Sequence, residues 1–166
     1  MLNPTIAIYP GTFDPITYGH LDIIKRGALI FNKLIIAIAE DNNKKTLFSI
    51  QERIKMINKE IESNNLKNVK VVSFKGLLVN FVESVNSKII IRGLRAVSDF
   101  EYEFQLSFMN YKQKPNIETI FLPATKTAHF ISSSFAKEIS RLGGDLNCLV
   151  SENVANNLKT KFQKTQ

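Results

Sequence analysis

The chain has 166 residues, of which 44% are hydrophobic, and this combination is typical of one compact domain rather than of a disordered or fibrous protein. The longest purely apolar run, residues 34–39, is too short to span a membrane, and no basic stretch precedes an apolar segment at the N-terminus, so we expect a soluble protein of the cytoplasm. One cysteine and two histidines disfavour internal disulfides and Cys/His metal clusters. The net charge of +7 suits either a nucleic-acid-binding protein or an enzyme of anionic substrates and does not decide between them.

Short runs of β-branched residues predict five strands, with segments of helical length and periodicity between them. In chain order the predicted elements are strand 5–9, helix 20–31, strand 33–39, helix 49–64, strand 69–74, helix 77–86, strand 88–92, helix 99–113, strand 118–123, and helices 133–142 and 151–163. This alternation predicts an α/β fold, with residues 1–166 as a single domain around a parallel, doubly wound five-stranded sheet. Such sheets bind ligands beyond the carboxyl ends of their strands, so the functional residues are expected in the loops that follow the strands.

The segment 99–113 alternates as a strand would, but its length and acidic start favour a helix. Wound as a helix, it carries two apolar stripes on opposite sides. The first stripe comprises Phe100, Phe104, Phe108 and Tyr111, and the second comprises Tyr102, Leu106 and Met109. We expect one stripe to pack on the sheet. The other is equally consistent with contact to another subunit and with burial under the C-terminal segment.

The loop after the first strand, residues 9–20, has the sequence YPGTFDPITYGH. Its spacing matches neither the G-x-G-x-x-G dinucleotide motif nor the P-loop. Thr12 lies on the turn and His20 near the first turn of the next helix, where backbone N–H groups and the helix dipole favour a bound anion. Capping or packing is the ordinary role of a lone histidine. The helix N-terminus should lower the pKa of His20.

Two further loops carry groups that suit phosphate. Arg92-Gly93-Leu94-Arg95 follows the fourth strand, and pairing with Asp99 or Glu103 would account for either arginine but less readily for both. Residues 131–138, ISSSFAKE, enter a helix without an acid at the third position, unlike the capping box SIQE at 49–52. We therefore expect free N–H groups there, beside Lys137, as an anion site.

Three strand-end loops thus each offer phosphate-binding groups, and no serine or cysteine has a partnered base that would suggest covalent catalysis. Lys44 and Lys45 lie in the loop after the second strand, where lysines are ordinarily solvated surface residues. Only the neighbouring phosphate-binding loops make Lys44 a candidate site residue. The pattern favours in-line phosphoryl or nucleotidyl transfer, in which positioning and charge stabilisation supply the rate and Mg²⁺ shares the charge.

Over nearly its full length the chain resembles the bacterial phosphopantetheine adenylyltransferases of the nucleotidyltransferase superfamily. The resemblance rests on TYGH at 17–20 within the first loop, the lysine pair at 44–45, IRGLRAVSDFEYE at 91–103 and ISSSFAKE at 131–138. It implies a Rossmann-like nucleotidyltransferase fold and the reaction of ATP with 4'-phosphopantetheine to give dephospho-coenzyme A and pyrophosphate, a step of coenzyme A biosynthesis. It also implies Mg²⁺ as cofactor and assembly as a homohexamer.

The resemblance further implies roles for individual residues. The catalytic set would be His20, which stabilises charge on the α-phosphate, with Thr12, Lys44 and Arg92. The acceptor 4'-phosphopantetheine would contact Thr12, Lys44, Leu77, Leu78 and Arg92. ATP would contact Thr12, Phe13, His20, Gly93, Leu94, Arg95, Glu103, Ala128, His129, Phe130, Ile131, Ser132, Ser133 and Ser134. Ala128-His129 departs from the family pattern, which often has an aromatic residue followed by serine at this place.

Two alternatives accompany this prediction. The same fold could transfer a nucleotidyl group to another acceptor, such as nicotinamide mononucleotide or a small alcohol phosphate. The positive charge also permits a nucleic-acid-binding module, but the arginines and aromatic residues do not interleave as a stacking platform would. We therefore expect small-molecule substrates, with neither nucleic acid nor membrane as a partner.

Overall fold

The computed structural model describes residues 5–40, 45–95, 97–125 and 128–163. Within these ranges the chain alternates strands and helices as predicted, and each boundary lies within two residues of its expected place. The elements are β1 (Ile6–Gly11), α1 (Tyr18–Ile30), β2 (Lys33–Ala39), α2 (Ile50–Ser63), β3 (Val69–Phe74), α3 (Leu78–Ser84), β4 (Ile89–Leu94), α4 (Val97–Gln113), β5 (Glu118–Pro123), α5 (Ser133–Arg141) and α6 (Glu152–Gln163).

The five strands form one sheet in the order β3-β2-β1-β4-β5, and every neighbouring pair is parallel. The chain therefore runs outward from β1 to β3 and then returns to build β4 and β5 on the other side. This reversal is the switch point of a doubly wound sheet, and it confirms the predicted fold class.

The sheet opens at that switch point. β1 and β4 are in register only at Ala7↔Ile89 and Ile8↔Ile90, whereas β1 stays paired with β2 along its whole length. Beyond these two pairs Pro10 lacks the N–H that a ladder needs. The gap is instead bridged by a side chain, because Arg92 Nη1 donates a hydrogen bond to the Pro10 carbonyl oxygen at 2.7 Å. A cleft begins where the ladder ends.

Strand alternation sends apolar side chains to two cores, one on each face of the sheet. Ala7 and Tyr9 belong to the larger core with side chains of α1, α2, α5 and α6, whereas Ile8 belongs to a smaller core that includes Val79 and Val82 of α3. Of the helices in the described ranges, none has the length and apolar character required to cross a bilayer.

Helix α4 does not pack as its two apolar stripes predicted. Its partly buried positions after the first residues form a polar stripe, Glu103, Ser107 and Asn110, that continues to Lys114 beyond the helix end. All seven residues of the two predicted stripes are exposed, and of them Phe100 has a ring contact with the sheet, to Phe121. The expectation that one stripe packs on the sheet was wrong, and so was the alternative of burial under the C-terminal segment, because α6 packs against α5.

Gly27 allows α1 to lie close to the sheet. A Cβ atom at this position would stand 3.0 Å from Ile91 Cδ1 and 3.2 Å from a methyl group of Leu34, two side chains that are fully buried. Since interiors are close-packed, these neighbours have little room to give. Glycine is therefore required by packing rather than by backbone conformation.

We predict that Gly27→Val destabilises the protein by about 1–3 kcal/mol, because the added branches overpack the helix–sheet interface. Urea unfolding followed by circular dichroism measures this loss. Leu29→Val is the matched control, since it places valine in the same helix at a position that is 88% exposed. Equal stability of the two variants would contradict the close packing of α1.

Candidate active site

A cleft of about 520 Å³ opens at the carboxyl edge of the sheet, above the split between β1 and β4. Four segments form its walls: the β1–α1 loop, the β2–α2 loop, the end of β4 with the start of α4, and the start of α5. The lining residues with polar or charged side chains are Tyr9, Thr12, Asp14, Thr17, His20, Lys45, Thr46, Arg92, Arg95, Asp99, Tyr102, Glu103, Ser132, Ser133, Ser134 and Lys137. The predicted convergence of distant loops is therefore present.

The β1–α1 turn is shaped around Phe13. This residue has φ 49°, in the left-handed region that a bulky side chain seldom adopts, and its ring is buried. The ring packs edge-on against His20, with centroids 4.9 Å apart, and against Tyr9. A Cβ atom at Gly11 would lie 2.8 Å from the Phe13 ring, so glycine leaves the space that the ring occupies. The contact with Phe13 thereby restricts the position of the His20 imidazole.

His20 has two structural bonds at the start of α1. Thr17 is the N-cap, its hydroxyl accepts from the His20 backbone N–H, and its own backbone N–H donates to His20 Nδ1 at 3.1 Å. A backbone N–H can only donate, so Nδ1 is the acceptor and the neutral ring carries its proton on Nε2. The ring therefore caps the helix with one nitrogen and keeps an N–H on the other.

The pKa of His20 lies at about 4, because removal from water disfavours the imidazolium and the charges of Arg95 and Arg92 repel it. The predicted direction is confirmed. Burial is the largest cause, and the two arginines add to it. Near neutral pH the ring is thus an uncharged N–H donor facing the cleft.

Arg92 is held rigidly at the split in the sheet. Its Nε donates to Glu103 Oε2 at 2.7 Å, its Nη2 donates to Oε1 of the same carboxylate, and its Nη1 reaches Pro10. Burial opposes the charge of Arg92, but the hydrogen bonds and charge of Glu103 outweigh it and raise the pKa of the guanidinium. Three of the five N–H groups have these partners among the described residues, which leaves two that can meet a ligand.

Arg95 links two other walls of the cleft. Its Nε donates to Asp99 Oδ2 at 3.2 Å, and its Nη1 donates to the carbonyl oxygen of Ile131 at 3.1 Å. Arg92 near the end of β4 and Arg95 just after it are therefore both paired with acids of α4. The sequence had favoured a pairing of one at most, and that expectation was wrong, because α4 places Asp99 and Glu103 one turn apart on the side that faces the loop.

The backbone N–H groups at the start of α5 are not all free, contrary to the sequence-based prediction. The Ser132 hydroxyl is the N-cap and accepts from the Phe135 backbone N–H, so the expectation that every N–H of this turn is free was wrong. No acid occupies the first turn, as expected. Ser133 Oγ donates to the Pro15 carbonyl oxygen at 2.7 Å, and Lys137 Nζ pairs with Asp14 at 3.0 Å. This turn is therefore bound to the β1–α1 loop.

The charges of the cleft are nearly balanced. Among the residues that the structure describes, the lining includes four basic side chains and three acidic ones, and each acid pairs with one of the bases. The bases are Lys45, Arg92, Arg95 and Lys137, and the acids are Asp14, Asp99 and Glu103. A site of this kind offers directed N–H groups at fixed places rather than the broad positive surface that nucleic acid requires.

The structure brings most of the predicted site residues together, and a few lie elsewhere. The residues that line the cleft are Thr12, Phe13, His20, Arg92, Gly93, Arg95, Glu103, Ile131, Ser132, Ser133 and Ser134. Lys44 lies outside the described residues, although its neighbours Lys45 and Thr46 line the cleft. The residues that do not line it are Leu77, Leu78, Leu94, Ala128, His129 and Phe130. Leu77 and Leu78 lie farther along the same edge, after β3.

Sequence reasoning missed Asp14, Arg53 and Tyr102. Asp14 belongs to the first-loop motif, but two of its partners are backbone N–H groups more than thirty positions away, which no sequence pattern marks. Arg53 lies on α2 like an ordinary surface residue and is nonetheless buried. Tyr102 was assigned only to an apolar stripe, yet it lines the cleft.

The comparisons with known proteins agree with this geometry. A cytidylyltransferase-like family model matches residues 8–139. The phosphopantetheine adenylyltransferase of Wolbachia pipientis wMel is 57% identical over 157 residues, covering 95% of this chain and 93% of the relative. That of Caldanaerobacter subterraneus subsp. tengcongensis is 52% identical over 160 residues, covering 96% and 99%.

The chain belongs to the phosphopantetheine adenylyltransferase family. The predicted resemblance and the enzyme class, a nucleotidyltransferase, are thereby confirmed. Among solved structures, a putative nicotinate-nucleotide adenylyltransferase from Vibrio parahaemolyticus superposes with a TM-score of 0.74 at 16% identity, covering 94% of this chain and 99% of the other. At that identity the likeness shows the fold alone.

The cleft of this phosphopantetheine adenylyltransferase family member suits a divalent ion that arrives with a nucleotide. Among the residues that the structure describes, no three potential protein ligands cluster as a metal cage would require. Mg²⁺ is commonly held by substrate phosphates, water and one or two carboxylates. Of the cleft carboxylates, Asp99 is the most accessible, at 31% side-chain exposure against 12% for Glu103 and 5% for Asp14.

The low pKa of His20 predicts acid sensitivity of the fold. In the unfolded chain the ring takes up a proton near its ordinary pKa of 6.5, whereas the folded protein resists protonation down to about 4. Stability from this group is therefore fully present above about pH 6.5 and is lost as the pH falls toward 4. Between pH 7 and pH 5 we expect a loss of about 1–2 kcal/mol that His20→Gln does not share.

Urea unfolding at both pH values measures this difference. Carboxylates titrate in wild type and variant alike, so the comparison between the two isolates the imidazole. An identical pH dependence in the two proteins would show that His20 is not held neutral by the fold.

Proposed function

We propose that this chain transfers the adenylyl group of ATP to 4'-phosphopantetheine, giving dephospho-coenzyme A and pyrophosphate, within a single adenylyltransferase domain of residues 1–166. Family membership supports the reaction. The observation that carries the site is the meeting of His20, two arginines and the serine-rich turn in one cleft at the switch point of the sheet. Each of these groups recognises phosphate, and the reaction needs several phosphates held in line.

His20 is proposed to stabilise the charge that develops on the α-phosphate. An oxygen of the acceptor phosphate attacks the α-phosphorus, the bond to the β-phosphate oxygen breaks, and pyrophosphate leaves with the electron pair. No covalent enzyme intermediate is needed. The Nε2–H of a neutral imidazole donates a hydrogen bond to the reacting phosphoryl group without losing its proton. Its Nδ1 bond to Thr17 fixes the direction of that donor.

Arg92, Lys44 and Thr12 are proposed to hold the phosphate of 4'-phosphopantetheine, with Leu77 and Leu78 along its pantetheine arm. The position of Arg92 supports this role, because Glu103 and Pro10 fix the guanidinium while leaving two N–H groups for the ligand. The location of the two leucines beyond the cleft, after β3, suits an arm that extends along the carboxyl edge of the sheet.

The remaining predicted residues are proposed to contact ATP. These are Thr12, Phe13, Gly93, Leu94, Arg95, Glu103 and residues 128–134. Arg95 binds both Asp99 of α4 and the Ile131 carbonyl oxygen. A nucleotide phosphate bound to Arg95 would therefore lie between two walls whose relative position is already fixed. Both oxygens of Glu103 accept from Arg92, and each retains a lone pair for a nucleotide hydroxyl or amino group.

Mg²⁺ is the proposed cofactor, held by the nucleotide phosphates, water and Asp99, where it would neutralise charge on the triphosphate. The homohexamer that the resemblance implies is likewise a proposal, supported by the outward aromatic faces of α4. Phe104, Phe108 and Tyr111 are each about half exposed, and a surface of this kind is typical of a subunit contact. We also propose that the enzyme acts in the cytoplasm.

We predict that His20→Ala lowers kcat by about a hundredfold or more, the effect expected from the loss of one donor to a developing oxyanion. Steady-state pyrophosphate release with ATP, Mg²⁺ and 4'-phosphopantetheine measures it. His20→Gln should recover part of the rate, because its amide can place an N–H near the position of Nε2. Unchanged turnover in a correctly folded His20→Ala protein would remove the residue from the mechanism.

An acceptor screen tests the assigned substrate. We expect pyrophosphate release with 4'-phosphopantetheine and little with nicotinamide mononucleotide or a small alcohol phosphate. Lys44→Ala should raise the KM for 4'-phosphopantetheine by about tenfold or more, the equivalent of one lost charge-assisted contact. Lys88→Ala is the matched control, because Lys88 directly precedes β4 and so lies at the amino ends of the strands, away from the cleft. Faster turnover with another acceptor, or activity indifferent to Lys44, would overturn the assignment.

A further inference from the structure

Asp14 is a buried carboxylate that the proposed chemistry does not use. Its side chain is 5% exposed, and three donors surround it. The backbone N–H of Phe48 donates to Oδ1 at 2.9 Å, the backbone N–H of Leu47 donates to Oδ2 at 2.9 Å, and Lys137 Nζ pairs with Oδ2 at 3.0 Å. A carboxylate leaves water at a large cost unless its lone pairs are met in this way. The β1–α1 loop is thereby fastened to the segment that precedes α2.

Arg53 makes the reciprocal connection. This arginine of α2 is buried, its Nη1 donates to the Thr12 carbonyl oxygen at 2.8 Å, and its Nε donates to the Ser49 carbonyl oxygen at 3.4 Å. Burial lowers the pKa of the guanidinium, and the charge of Asp14 partly offsets that cost. Asp14 therefore holds the backbone of the β2–α2 segment, while Arg53 holds the backbone of the β1–α1 loop.

These three hydrogen bonds, two to Asp14 and one from Arg53, join the walls that would contact the acceptor. On one wall stands Thr12, and on the other stand Lys45 and Thr46, which directly precede the two N–H groups that Asp14 binds. Each bond is made to backbone, so it fixes the path of the chain rather than the rotamer of one side chain. An error of about 1 Å in such a path is enough to cost a large factor in rate.

We propose that Asp14 and Arg53 are positioning residues that form a buried clasp and set the acceptor half of the cleft. The clasp fixes the distance between the Thr12 turn and the Lys45–Thr46 segment before substrate arrives. This inference rests on the proposed function for the identity of the acceptor. It predicts a specific split, in which loss of the clasp weakens use of 4'-phosphopantetheine much more than use of ATP.

The test compares Asp14→Ala, Asp14→Asn, Arg53→Met and Arg53→Lys with wild type. Hydrogen exchange by mass spectrometry over residues 45–50 reports the clasp directly. In Asp14→Ala we expect exchange about tenfold faster or more, since each opened bond exposes an amide to water. The KM for 4'-phosphopantetheine should rise about tenfold or more, whereas the KM for ATP should change less than about threefold. Asn and Lys keep one hydrogen bond each and should give intermediate values.

Arg141→Gln is the matched control. It removes an ion pair with Glu138 from α5, the helix that also supplies Lys137, but at an exposed site away from the cleft. Its exchange and both KM values should match wild type. If Asp14→Ala does not fold, Asp14→Asn and Arg53→Lys carry the same test.

Unchanged exchange over residues 45–50 in the Asp14 variants would overturn the clasp. An equal rise in both KM values, or altered exchange with unaltered kinetics, would show that the clasp serves the fold and not the acceptor site. If wild type shows no activity with 4'-phosphopantetheine, the proposed function fails while the exchange result still decides whether the clasp exists.

Discussion

The pairing of β1 with β4 is the constraint on which the site depends. Two residue pairs hold these strands in register, and beyond them the strands separate because their crossovers run in opposite directions across the sheet. Two of the four walls of the cleft, the β1–α1 loop and the end of β4 with the start of α4, are attached to these separating ends. Arg92 spans the opening by binding Pro10, and Glu103 holds Arg92 from α4. A charged side chain that lines the cleft thus connects the two strands where the backbone ladder ends.

Electrostatic balance follows from the same arrangement. The two guanidinium groups help to keep His20 uncharged, and they are themselves kept in place by acids of α4. A cleft filled with unpaired positive charge would repel itself and would need reorganisation each time a triphosphate entered or left. Here the donors are already oriented, so binding can proceed with little rearrangement.

Much of the fold could be predicted from the sequence, because strands such as 33–39 and 69–74 are rich in β-branched residues. The segments between the strands also have clear helical periodicity. Much of the lining of the candidate cleft could also be predicted, because glycine-containing turns and arginines stand at the ends of strands. The packing of α4 could not be predicted, because apolar stripes alone do not reveal that the helix turns its polar side toward the sheet. Asp14 was missed since two of its three partners are backbone amides, which every residue but proline carries.

In the proposed mechanism, His20 serves two purposes with one ring. The nitrogen that completes the cap of α1 also orients the nitrogen that faces the substrates. Most enzymes can exchange stability for activity at an active-site position, since a catalytic group is commonly a burden on the fold. At this position stability and activity depend on the same ring. A substitution that loses the donor therefore also loses the ring's bond in the helix cap, and no gain in stability can compensate for the lost activity. Such a residue is expected to resist drift even in lineages where demand for the product is low.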